Sequence, residues 1–162
     1  MIRVGLGYDA HAFDPDRQLT LGGIVIPDVP GLAGHSDADV LSHAIADALL
    51  GAARLGDLGT LFPNDERWKD ASSLDILVHT ARAVSDAGWS INNVDATVVA
   101  ETPKLAPHRE SMIDLVAASL DIATSAVWLK GTSTDGLGWE GRKEGISALT
   151  VVLIERPDTP LT

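Results

Sequence analysis

Short β-branched or alternating segments take turns with three helical windows that carry their own start and stop signals, and this alternation most limits the folds open to the chain. Ile2 to Asp9 predicts a first strand, and Leu19 to Ile26 a hairpin-like pair broken at Gly22-Gly23, where positive φ is cheap. Ser36, with Asp39 three residues on, predicts the cap of a helix whose apolar positions run from Val40 through Ala52 to Leu55, with Gly56 ending it. Ser72 and Asp75 predict a second cap, for a helix through Val84 that closes at Gly88. Ile91 to Ala100 reads as a strand, Pro107 opens a third helix through Leu120, and Val127 to Lys130 and Ile146 to Glu155 read as the last strands. The pattern predicts an α+β fold (an α/β sandwich): a mixed β-sheet with three helices packed on one face.

Aromatic residues make up only 4% of the 162-residue chain against 45% hydrophobic residues, so the core must rest on Ala, Val, Leu and Ile and its elements must approach closely. The length suits one domain, taken as residues 1–156, with a frayed tail over 157–162. A net charge of -11 without any basic run argues against a nucleic-acid or anionic-membrane surface. No apolar run approaches the ~20 residues of a membrane span, and Met1 to Gly5 lacks a signal-peptide layout, so a cytoplasmic location is expected. Zero cysteines exclude a disulfide framework, a thiolate zinc site and a cysteine nucleophile.

Asp9 and His11 are two apart on the first strand and so face the same way, while His43 lies near the start of the following helix. Two histidines and one carboxylate suit Zn²⁺ with a fourth position for a substrate oxygen; the plainer alternative is a strand end and a histidine bonded within its helix. Asp39 and Asp47, four residues either side of His43, are expected to accept its other ring N–H. Asp37 reads as a first-turn acid favoured by the helix dipole. His35 and Ser36 precede the helix, where free N–H groups attract anions, although Ser36 reads equally as a plain cap.

Thr132 to Gly145 combines hydroxyls, Asp135, two bases and glycines, a composition able to wrap a diphosphate around a hard cation or simply to decorate a turn. Ala100 to Ala106 joins a strand to a helix, a common place for ligand loops. Gly56 to Ser72, at roughly 16 residues, exceeds ordinary loop lengths and reads as functional.

The segments Gly-Tyr-Asp-Ala-His-Ala-Phe, His-Ser-Asp-Ala-Asp-Val, Gly-Asp-Leu-Gly-Thr-Leu-Phe-Pro, Thr-Pro-Lys-Leu and Gly-Arg-Lys-Glu-Gly-Ile, in that order from Arg3 to Ile154, resemble the motifs of the 2-C-methyl-D-erythritol 2,4-cyclodiphosphate synthase family of the non-mevalonate isoprenoid pathway. The resemblance implies Zn²⁺ on Asp9, His11 and His43, with His35 and Ser36 close to the substrate phosphates. It implies further substrate contacts at Asp57, Leu58 and Gly59 and at Phe62, Pro63, Asn64 and Asp65. A cytosine-receiving loop is implied at Ala100, Glu101, Thr102, Pro103, Lys104, Leu105 and Ala106. Substrate contacts are likewise implied at Thr132, Ser133, Thr134, Asp135, Trp139 and Arg142, with Asp135 holding Mg²⁺ and the substrate diphosphate carrying Mg²⁺ or Mn²⁺. The family is a homotrimer with active sites between subunits and a threefold channel able to bind isoprenoid diphosphates, which brings Arg142 and Glu144 near that channel. Asp135 stands where the family commonly has Glu, one methylene longer.

On this resemblance, the chain converts 4-diphosphocytidyl-2-C-methyl-D-erythritol 2-phosphate to the cyclic diphosphate and CMP, with His35 and Ser133 as the candidate catalytic donors to the reacting phosphorus. The alternatives are another zinc phosphohydrolase and a non-catalytic trimeric binder of isoprenoid diphosphates.

Overall fold

The computed structural model describes residues 1–63, 65–69 and 71–157. Two adjacent strands, β1 (Ile2–Leu21) and β2 (Ile24–Leu32), open the fold and turn back on each other at Gly22 and Gly23, whose φ angles of 56° and 75° suit glycine. Helix α1 (Val40–Ala53) and the single turn α2 (Leu58–Leu61) follow, then α3 (Ser73–Asp86) and strand β3 (Ser90–Val99). Helix α4 (Arg109–Leu120) leads through a short 3₁₀ turn to β4 (Val127–Thr132), the single turn α5 (Gly138–Gly141) and β5 (Gly145–Glu155).

The sheet has the order β2-β1-β5-β3-β4, with β3 and β4 parallel and the other neighbours antiparallel. This is the mixed sheet expected. The first strand is longer than predicted, because its pairing with β5 runs from Ile2 opposite Glu155 to Ala12 opposite Gly145 and its far end pairs with β2.

Alternation along β1 explains the packing. Gly5 and Gly7 point inward, and a Cβ on either would come within 2.0 Å of a carbonyl oxygen of α1, that of Ala48 or Ala44. Ala44, Ala48 and Ala52 form the matching stripe on α1, so helix and strand meet almost backbone to backbone, as a small-residue core requires. Helix α1 is buried nearly all round; α3 turns Ile76, Leu77 and Val84 inward, and α4 turns Met112, Val116 and Leu120 inward. The residues between the glycines face away: Ile2, Val4, Leu6 and Tyr8 are each more than half exposed, beside Leu149 and Val151 of β5. One sheet face is therefore covered by helices while the other carries a continuous apolar strip.

Two helix ends differ from the sequence reading. Asp39, not Ser36, caps α1, accepting from the amides of Leu41 and Ser42 while both its oxygens also receive the amides of Gly22 and Gly23. A carboxylate with two oxygens can serve the helix and the hairpin together, which a single hydroxyl cannot. At the other end Arg54 takes the left-handed position, at φ 62°, before Gly56 is reached. The predicted frayed tail lies, from residue 158 on, outside the described residues.

Candidate active site and metal group

The inward positions that hold glycine at 5 and 7 continue along β1 as Asp9 and His11, and the helix they meet presents His43 in its first turn. Where backbone contact ends, side chains of ligand type begin. His11 Nε2 lies 2.9 Å and His43 Nδ1 3.1 Å from Asp9 Oδ2, and the two ring nitrogens are 3.3 Å apart. Among the described residues these three form a group whose donor atoms all lie within 4.8 Å of one another.

The outer ring nitrogens fix which atoms face the group. His11 Nδ1 donates to the Ala33 carbonyl at 2.6 Å, so Nε2 is the nitrogen that faces Asp9 and, once it has shed its proton, the one able to bind a cation. His43 Nε2 is 3.1 Å from Ser36 Oγ and 3.0 Å from Ser73 Oγ, leaving Nδ1 inward. Two imidazole lone pairs and a carboxylate, each ring held from behind by an oxygen, fit a three-ligand cation site with room for a substrate atom. His43 is buried, while Asp9 and His11 are part-exposed and keep the site open on one side.

Protonation reflects the same geometry. Burial opposes the Asp9 charge, but the hydrogen bonds and positive character of His11 and His43 outweigh it and hold the carboxyl well below the usual range. Burial likewise opposes protonation of His11, but the hydrogen bond and charge of Asp9, helped by the Ala33 carbonyl, raise its pKa.

Asp39 and Asp47 do not support His43. Asp39 is spent on capping and on the hairpin, and Asp47 accepts from the amide of Leu58 at 3.3 Å. The supports are Ser36 and Ser73, and Ser73 in turn donates to Asp37. Asp37 is therefore no first-turn acid of α1: it lies before the cap and also accepts from the Ser73 amide at 2.9 Å, tying the start of α3 to the loop ahead of α1. Arg17 clamps that loop from β1, donating to the carbonyls of Gly34 and Ser36. Sequence reasoning missed Arg17 and Ser73; both act across gaps in sequence that no local spacing reveals.

His35 Nε2 donates to the Asp65 carbonyl at 2.9 Å, joining the loop before α1 to the segment after α2. In that segment Asp57 caps α2 through the amide and hydroxyl of Thr60, Leu58 and Gly59 lie within the turn, Phe62 packs edge-on to Trp68 at 4.7 Å, and Asp65 pairs with Arg67. Pro63 is part-buried, and Asn64 lies outside the described residues.

A second cluster forms at the ends of β3 and β4. The Ala100 amide donates to the Thr132 carbonyl, and Ala100, Pro103, Lys104, Leu105 and Ala106 face Thr132 and Ser133 across a cavity of about 210 Å³. Ser133 Oγ donates to Asp135 Oδ1 at 3.2 Å, and Glu101 Oε1 receives the amides of Thr134 and Gly136, each at 3.2 Å. Thr102, next to Glu101, is part-buried. Arg142 is exposed and paired with Glu144 at 2.7 Å, and Trp139 is part-buried on α5.

The fold does not bring the two clusters together. Asp9 pairs with Ala148 of β5, which pairs with Val98 of β3, which pairs with Gly131 of β4, so they share a sheet level three strands apart, ~14 Å at normal strand spacing.

The molecule thus combines a mixed sheet covered on one face, an inward Asp-His-His group able to hold a cation, and a separate hydroxyl- and glycine-rich cleft. The profile of the YgbB family matches residues 2–155, and the chain belongs to that family. It is 54% identical over 156 residues to the 2-C-methyl-D-erythritol 2,4-cyclodiphosphate synthase of Syntrophomonas wolfei subsp. wolfei, covering 96% of this chain and 99% of that one. Among solved structures, the IspF–CDP complex of Plasmodium falciparum superposes with a TM-score of 0.84 at 33% identity, covering 97% of each chain. The bifunctional IspDF of Campylobacter jejuni gives a TM-score of 0.93 at 39% identity, covering 98% of this chain; the chain spans only 43% of that protein's length. No helix among the described residues is long and apolar enough to cross a membrane.

Proposed function

We infer that the chain is a metal-dependent cyclising lyase that converts 4-diphosphocytidyl-2-C-methyl-D-erythritol 2-phosphate to 2-C-methyl-D-erythritol 2,4-cyclodiphosphate and CMP; the cyclic product is the one its curated relatives are named for. The observation that carries this reading is the Asp9, His11 and His43 group, with both rings oriented from behind, in a chain that matches those relatives end to end.

The reaction joins two anionic ends of one molecule. An oxygen of the 2-phosphate bonds to the β-phosphorus as the bond from that phosphorus to the CMP oxygen breaks, and CMP leaves with the electron pair. A phosphate monoester is largely dianionic near neutral pH, its second pKa being ~6, so the chain need not supply a strong base. Repulsion is the obstacle, in a protein whose own charge is -11. Asp9, His11 and His43 would hold Zn²⁺ and Asp135 Mg²⁺; when bound, these cations orient phosphate oxygens and offset their charge. Ser36 and Ser73 keep His43 Nδ1 facing inward. His35, from the metal side, and Ser133, from the cleft, would exchange their bonds to the Asp65 carbonyl and to Asp135 for hydrogen bonds to the oxygens of the reacting phosphate. The Ala100 to Ala106 loop takes the cytosine. Holding both ends of one substrate in register is worth ~7 kcal/mol or more of the barrier.

The ~14 Å between the two clusters supports a homotrimer in which the metal group of one subunit faces the cleft of the next. The apolar strip Ile2, Val4, Leu6, Tyr8, Leu149 and Val151 is the face we assign to that assembly, since strips of this kind are seldom left in water. The mass expected in sedimentation is near 51 kDa, three times the 17.0 kDa chain. A threefold channel there, with Arg142 and Glu144 near it, would take an isoprenoid diphosphate only by competing with their ion pair. We treat residues 1–156 as one catalytic domain acting in the cytoplasm.

The test is incubation of purified protein with the cytidyl substrate and Mg²⁺, followed by phosphorus NMR. The reading requires CMP and a cyclic diphosphate; substrate left intact, or a linear phosphate product, refutes it.

A further inference from the structure

Asp135 is the proposed Mg²⁺ ligand, yet it sits on an exposed turn with little of the packing that fixes the zinc group. The turn runs from the Thr134 carbonyl to the Leu137 amide at 3.1 Å, and Asp135, at φ 54°, lies in the left-handed region that most residues with a Cβ avoid and Asp tolerates in turns. Among the described side chains outside the turn, Glu101 is the one that bonds its amides: its Oε1 receives the amides of Thr134 and Gly136, the two neighbours of Asp135, while the Thr134 hydroxyl donates to the Leu137 carbonyl at 2.5 Å within the turn. Two amide donors converge on one carboxylate oxygen, on either side of the residue whose carboxylate must face the cation.

Glu101 stands one residue beyond Ala100, where the β3–β4 pairing ends, and two before Pro103, which lines the cleft. The same side chain thus spans from the base loop to the cation loop. We propose that Glu101 is a positioning residue: it sets the Asp135 carboxylate for the substrate-bound cation and ties that carboxylate to the loop that takes the nucleobase. This rests on the synthase reading and adds to it a role for Glu101 that is neither ligand contact nor acid–base chemistry.

The role depends on an acceptor at the right reach, which predicts an ordering that charge alone would reverse. Glu101→Gln keeps the reach and the carbonyl oxygen but loses the charge; Glu101→Asp keeps the charge but falls one methylene short. Support positions behind metal ligands are typically worth 10- to 100-fold. For Glu101→Ala and Glu101→Asp, the Mg²⁺ concentration giving half-maximal CMP release should rise about tenfold, with zinc content unchanged. For Glu101→Gln it should stay within about twofold. Amide hydrogen exchange on the metal-free proteins supplies a readout independent of turnover: Thr134 and Gly136 should exchange faster in Glu101→Ala and Glu101→Asp than in Glu101→Gln or the parent. An unchanged Mg²⁺ requirement in Glu101→Asp, a Glu101→Gln protein as impaired as Glu101→Asp, or unaltered exchange at both amides overturns the proposal. If the parent protein released no CMP the synthase reading would fail first, and the exchange comparison would still decide whether Glu101 holds the turn.

Discussion

The Asp9, His11 and His43 group and the Asp135 loop, the two cation sites proposed, are built on opposite structural principles. Asp9, His11 and His43 are placed by backbone register: a glycine-lined seam fixes the distance between β1 and α1, and ligands occupy the next positions along it. Asp135 is placed by side-chain tethers on an exposed turn. Changes near the first should therefore disturb fold and metal together. Changes near the second should alter cation use and leave the fold alone.

The largest effect is expected from His43→Ala, which should remove zinc, read by elemental analysis, and lower CMP release at least a thousandfold, as loss of a coordinated catalytic cation implies. Normal turnover by a zinc-free variant would break the account. Gly7→Ala, which touches no ligand, should come next, because its Cβ would meet the Ala44 carbonyl at 2.0 Å. Overpacking of that kind costs about 3 kcal/mol. It should lower the melting temperature by roughly 5–10 °C in a chain of this size and weaken zinc binding with it. Ser73→Ala removes one of two acceptors behind His43 and should weaken zinc about tenfold, by competition with a chelating dye, with CDP affinity unchanged. Asp135→Ala marks the opposite end of the comparison: a raised Mg²⁺ requirement with stability within about 0.5 kcal/mol of the parent.

Acidity sharpens the contrast further. The pKa of His11 is raised by folding above its ordinary 6.5, so in metal-free protein its contribution to stability is full below that value and fades as pH climbs through the folded value. Asp9 is depressed, so its contribution is present above 3.8 and is lost only as pH falls through its lower folded value. Chelated protein should thus be most stable between about pH 4 and 6.5. Zinc loading reverses the slope above this window, since His11 must shed its proton before Nε2 can donate, and affinity should improve about tenfold per unit until that proton is gone. Melting curves of the two forms across pH 6 to 8 should move in opposite directions.

Much of the architecture was legible because local signals agreed with the fold: Gly22-Gly23 for the hairpin, Ser72 for α3, and β-branched residues for β5. The scarcity of aromatics correctly forecast close packing, which the Gly5 and Gly7 seam delivers. Asp9, His11 and His43 were legible too, since two sit two apart on a strand and the third in a helix the strand must cover. Their supports were not. Asp39 and Asp47 have the right helical spacing for His43, yet Asp39 is drawn to the hairpin amides and Asp47 to α2, and Ser73 reaches His43 from another helix. Helical spacing tells which residues share a face; it does not tell which tertiary partner claims them. The capping role of Asp39 was misread for the same reason.

The central claim is ring closure within one metal-held substrate, without attack by water. The most direct measurement is the reaction run in ¹⁸O-labelled water, with mass spectrometry of both products. The account predicts a cyclic diphosphate and CMP that both carry no label. Label in either product, or a linear phosphate in place of the ring, would contradict it and make the Asp9, His11 and His43 centre a hydrolase.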